Sequence, residues 1–122
     1  MNALILVLLL CPVIAASQTA DRPAWNAPAE AAKKNNPLKD KPELAAGGKK
    51  LFAKHCAMCH DAGEKQVGPH LSSPFTQKQS DGELFWKISS GNSRAGMPSF
   101  SSLPDTQRWQ LVLYLRTLTP PF

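Results

Sequence analysis

Apolar positions recur at three- and four-residue steps in three stretches of the chain, separated by polar runs punctuated with glycine and proline. In the first stretch Leu44, Gly48, Leu51, Phe52 and Cys56 fall on one helical face while Lys49, Lys50 and Lys54 project elsewhere, which predicts an amphipathic helix running to about His55. Asp40-Lys41-Pro42-Glu43 reads as its start: Asp40 can cap free backbone N–H groups, Pro42 suits a first turn, and Glu43 completes a capping box. Gly47 and Gly48 each weaken such a helix by ~1 kcal/mol relative to alanine, so keeping them there signals the close approach of another element. A second, short helix is predicted from Ser80, with Ser80 and Glu83 as capping box, Leu84 and Ile88 on one face and Gly91 as the stop. The third begins near Ser102, holds Asp105 in its first turn and ends at Thr119-Pro120-Pro121. Its stripe of Leu111, Tyr114, Leu115 and Leu118, widened by Trp109, Val112 and Leu113, predicts a largely buried helix. Between the helices, residues 61–79 and 92–101 read as loops, so the expected fold is all-α with no extensive strand.

Residues 1–16 carry no charged side chain and hold the apolar run Ala3 to Leu10, too short and too soon interrupted by Pro12 for a membrane span. With small residues at Ala15, Ala16 and Ser17 they read as a signal peptide cleaved in that neighbourhood, the alternative being a retained anchor. Cys11 is a poor lipidation site because Leu10 precedes it. Residues 17–39, rich in Ala, Pro, Asn and Lys without apolar period, read as a flexible leader whose only aromatic group is Trp25. The folded domain is then expected at 40–122.

Composition narrows the function. With 43% hydrophobic and 19% charged residues the chain is that of a globular domain. Its net charge of +5 comes from scattered lysines, not the concentrated basic footprint of a nucleic-acid binder. Most of these lysines are expected to solvate the surface, and Lys49, Lys50, Lys54, Lys65 and Lys87 to help steer docking onto an acidic partner.

The chemistry lies in Cys56-Ala57-Met58-Cys59-His60, the C-x-x-C-H pattern of c-type haem attachment. One helical turn and a bend can bring both sulfurs to one porphyrin edge while His60 reaches the iron as proximal ligand. Zinc would need further ligands from His55 and His70, without a second paired motif. A redox dithiol would need a strand-helix-strand setting, and a plain disulfide would leave His60 idle. Once the signal is removed Cys56 and Cys59 are the remaining cysteines, and a folded part of only about 80 residues needs a staple of the kind a covalent haem provides. Met97, in the loop Gly96-Met97-Pro98, is the best candidate for the sixth iron ligand, with His70 the alternative.

These segments together resemble the class I monohaem cytochromes c over about Leu44 to Leu118: Gly48, Phe52 and the attachment motif match that family's first helix, Gly68-Pro69 its proximal loop, Gly96-Met97-Pro98 its distal loop and Leu111 to Leu115 its last helix. The resemblance implies a cytochrome c-like fold of about three main helices and long loops round one haem c. It implies that Gly48 lets the first and last helices cross with Phe52 and Tyr114 at the crossing, and that Pro69 offers its carbonyl to the His60 ring. Trp86 and Arg94 are candidate partners of the haem propionates.

The expected function is single-electron transfer between redox proteins in an exported, periplasmic setting, by an electron carrier rather than an enzyme. No nucleic acid and no stable membrane insertion are expected, and the chain is read as a monomer or a subunit of a redox complex. A haem subunit of a larger exported dehydrogenase or oxidase is the alternative. A gas sensor or peroxidase ranks behind both, since no distal acid-base group stands out.

Overall fold

The computed structural model describes residues 24–61 and 63–118; the expected signal and residues 17–23 of the expected leader lie outside them. Among the described residues the chain forms α1 (Ala29–Ala32), α2 (Ala45–His55), α3 (Ala57–His60), α4 (Pro74–Gln77), α5 (Asp81–Ser90) and α6 (Asp105–Thr117). Short 3-10 turns lie at Pro42–Leu44, Gly63–Lys65 and Ser93–Ala95. No strand occurs among the described residues, and an isolated antiparallel bridge joins Asn92 to Met97. The fold is all-α, with α2, α5 and α6 as the three main helices that the apolar periodicity predicts.

The frame is the crossing of α2 on α6, the most extensive helix contact. Gly48 is buried there because the backbones meet: a Cβ at this position would overlap the Gln110 carbonyl and lie 2.8 Å from Tyr114 Cβ. One turn on, Phe52 packs on Tyr114 with ring centroids 5.2 Å apart and planes tilted by 57°. Leu111, Val112 and Leu115 continue the buried stripe of α6, and Leu84 and Ile88 from α5 join the same core. Phe85 stacks on Trp109 at 3.9 Å, which ties α5 to α6 from a second face. Arg116 closes the end of this layer, its Nε–H donating to Asp81 at 2.8 Å and one Nη–H to the Gln77 carbonyl at 3.0 Å.

Helix starts follow the sequence unevenly. At α5 the Ser80 hydroxyl accepts from the Glu83 N–H and the Glu83 carboxylate accepts from the Ser80 N–H, the reciprocal capping box expected, and Gly91 ends the helix at φ +64°. At α2 the Asp40 cap is not made. The turn Pro42–Leu44 is wound as 3-10, and neither Lys41 before it nor Leu44 before α2 makes a side-chain cap bond. Asn36 controls this entry instead, its side-chain oxygen accepting from the Leu38 N–H and its backbone carbonyl from the Lys39 N–H, so the chain reaches Lys41 through two consecutive turns. α6 starts at Asp105 rather than near Ser102, because Pro104 takes the N-cap position after a turn closed by Leu103 N–H on the Phe100 carbonyl. The loop 61–79 contains the extra helix α4, whose cap is the Ser73 hydroxyl accepting from Thr76 N–H, with Pro74 in its first turn.

Residues 24–39 were expected to be flexible, yet they lie packed on the helices. Asn36 is 2% exposed and donates its amide to the Trp109 carbonyl at 3.1 Å. The Ser80 hydroxyl donates to the Ala32 carbonyl at 2.7 Å, and α1 packs on α5. Isolated anchors hold this segment, among them the Asn36 amide and Leu38 packed on the core, and points so few and so spaced show no apolar period.

Candidate functional site

α2 ends at Cys56, whose N–H still donates to the Phe52 carbonyl at 2.8 Å. The chain then winds on at once into α3, where the Cys56 carbonyl accepts from both the Cys59 and His60 N–H groups. This bend sets Cys56 and His60 into the wall of a cavity of about 310 Å³. Phe52, Leu84, Ile88, Leu111 and Leu115 from the main helices make its wall predominantly apolar. No disulfide joins the two cysteines, and burial, with Cys59 close by, pushes the Cys56 thiol up to about 11. Among the described residues no three His, Cys, Asp or Glu side chains converge as a metal site, so zinc lacks a ligand set here.

The His60 ring is fixed from behind. Its Nδ1 lies 2.9 Å from the Pro69 carbonyl oxygen, and since a carbonyl can only accept, Nδ1 carries the hydrogen and the neutral ring has its lone pair on Nε2. Gly68 leaves room for this arrangement: a Cβ there would stand 2.6 Å from Cε1 and 2.7 Å from Nδ1 of His60. Gly68 N–H donates to the Cys59 carbonyl and the Gln66 side-chain amide to the Gly68 carbonyl, both at 2.9 Å, so the loop is tied to the strip it serves.

Met97 reaches the same cavity from the connection between α5 and α6. Its N–H and carbonyl bond reciprocally with Asn92 at 3.0 and 2.9 Å. Gly91, at a positive φ that side chains resist, also lets Pro98 and Ser99 come so close that a Cβ would meet their backbone at 2.6 Å. The Phe100 N–H donates to the Ile88 carbonyl at 3.1 Å and the Ser99 hydroxyl to the Ser89 carbonyl at 2.6 Å, which fastens the loop along α5.

Cys56, His60, Pro69 and Met97 thus share one cavity, with Cys59 one helical turn from Cys56. Trp86 and Arg94 do not join them. On α5 the wall positions are Leu84, Lys87 and Ile88, and Trp86 stands about 200° round the helix from Leu84 and Ile88. Arg94 is exposed on the Ser93–Ala95 turn. His70 is exposed at a separate, smaller cavity of about 140 Å³ beside His60, Tyr114 and Leu118, not at the Met97 side.

Two wall residues, Trp25 and Lys87, are not placed at the haem site from sequence, where Lys87 is read as a partner-docking lysine. Trp25 folds back onto the domain: its Nε1–H donates to the Gly91 carbonyl at 3.0 Å and its ring lines the cavity. The Lys87 ammonium lies 5.0 Å from that ring and donates to Gln79 Oε1 at 2.5 Å. Burial lowers the Lys87 pKa, with Glu83 opposing the shift. Lys87 was legible as the i+3 companion of Leu84 on the inward face of α5; for Trp25 the only signal was a lone large ring in an otherwise small and polar segment.

A paired-thiol motif on a bent helix, a neighbouring imidazole with Nε2 free, and a thioether on an apolar wall together fit a covalently attached porphyrin. In comparisons with known proteins, the family model described as cytochrome c oxidase, cbb3-type, subunit III matches residues 43–115, from the turn before α2 to near the end of α6. No curated protein and no solved structure matches the chain. The matched span includes the attachment motif, Pro69 and Met97, and the chain belongs to the cbb3-type cytochrome c oxidase subunit III family and is a c-type cytochrome domain with covalently bound haem c.

Proposed function

We propose that this chain is an exported monohaem electron carrier that passes single electrons between redox proteins. The observation that carries the reading is the meeting of His60, oriented by Pro69, and Met97, held by the Asn92 pairing, on one apolar cavity beside the cysteine pair. Cys56 and Cys59 would carry the thioethers, and His60 Nε2 and Met97 Sδ would hold the iron. Bound haem c supplies a metal centre that alternates between Fe(II) and Fe(III).

The protein's part is positional. The Pro69 carbonyl holds the Nδ1 proton, which fixes the ring and strengthens Nε2 as a donor. Phe52, Leu84 and Leu111 keep water from the cavity floor, and an apolar surround of this kind favours the less charged, reduced state. With His60 and Met97 both available to hold the iron, electron transfer would be favoured over gas binding or peroxidase chemistry. The test is the visible spectrum of the reduced native protein before and after carbon monoxide: no change is expected, and a gas-bound spectrum overturns the reading. Replacing Cys56 and Cys59 by alanine together is expected to abolish haem staining on a denaturing gel.

A second reading, the haem subunit of a larger oxidase, is favoured by the family description itself. Native-size fractionation of extracts separates the two, since a free carrier elutes at its own mass and a subunit elutes with the complex. Export is part of the proposal and is supported by the charge-free apolar residues 1–16. No helix among the described residues is long and apolar enough to cross a membrane. Mass spectrometry of the periplasmic protein should give a chain that begins near Ser17.

A further inference from the structure

A haem is an apolar plate with two carboxylates on one edge, and burying the plate in this cavity leaves those anions in need of donors. Trp86 and Arg94, the candidates read from sequence, stand outside the wall. Among the described residues that line the cavity, Lys87 is the only lysine or arginine. Its ammonium has three N–H donors; one goes to Gln79, a neutral acceptor, and no carboxylate among the described residues forms an ion pair with it. The Trp25 indole beside it has spent its only donor on the Gly91 carbonyl, so its ring serves as a fixed face against which the ammonium rests.

We propose that Lys87, steadied by Gln79 and the Trp25 ring, is the seat of one haem carboxylate, and that the segment carrying Trp25 is therefore part of the cofactor site. Trp25 lies before the matched span 43–115, so this support is added to the family's domain from outside it. Trp25 acts here as a positioning residue. A cation at the carboxylate edge disfavours the more positive Fe(III) state, so Lys87 raises the reduction potential.

The proposal rests on the covalent haem, and haem staining of every variant comes first: loss of staining in the wild-type chain would sink the haem itself, not the role of Lys87. Potentiometric titration of the stained proteins then decides. Lys87→Met is expected to lower the potential, Lys87→Arg to stay near the wild-type value, and Trp25→Ala to shift part of the way down. An unchanged potential in Lys87→Met, or an equal drop in Lys87→Arg, overturns the Lys87 assignment; an unchanged potential in Trp25→Ala overturns the positioning role. Where Lys87→Met gives too little folded protein, Lys87→Gln removes the same charge and is read in the same way.

Discussion

At the scale of single residues, the site depends on which atom of each side chain is left free. The Pro69 carbonyl occupies Nδ1 of His60 and so leaves Nε2 for the cavity, while the main chain of Met97 is spent on Asn92 and its thioether remains for the wall. With Met97 as the proposed iron ligand, the reduced Met97→Ala variant is expected to bind carbon monoxide, read from its visible spectrum, and to show a lower potential in a redox titration followed by that spectrum. The attachment motif and the loop methionine were legible because their chemistry is concentrated within a few neighbouring residues. Arg94 lies beyond α5 on the exposed Ser93–Ala95 turn, and Trp86 stands off the cavity wall: residue type alone does not say which side of α5 looks inward. That choice is made by Leu84 and Ile88 packing against α6, a tertiary event. Trp25 was harder still, since its partner Gly91 is 66 residues away.

At the scale of helices, the α2–α6 crossing and the α5 cap give contrasting predictions. Gly48→Ala places a methyl group against the Gln110 carbonyl, where backbone on both sides limits relaxation, and is expected to cost about 1–3 kcal/mol, read from the denaturant midpoint. Ser80→Ala removes a capping box and is expected to cost about 1 kcal/mol. Asp40→Ala, which removes no cap, should stay within ~0.5 kcal/mol of the parent in the same measurement. The three main helices were readable from periodicity because each buries a broad apolar face. The start of α2 was not, since the cap signal at Asp40 competes with turns organised by Asn36, whose anchor is the distant Trp109 carbonyl. The short α4 escaped notice for another reason: four residues are too few to display a period.

At the scale of the whole molecule, surface charge bears on how the proposed carrier would meet a redox partner. Lys49, Lys50, Lys54 and Lys65 are exposed, and three of them share the helix that ends at the attachment motif. Stopped-flow electron exchange with an acidic partner is accordingly expected to slow as ionic strength rises through the range where the Debye length falls from about 30 to about 8 Å. A rate indifferent to salt would remove steering from their role. Gly91 has a consequence at this scale too. It carries the Trp25 bond on its carbonyl and admits Pro98 at its Cα, so the beginning of the described chain and the methionine loop hang from one peg. Warming that frees one should free the other, so that detachment of the arm and loosening of the Met97 loop become a single event.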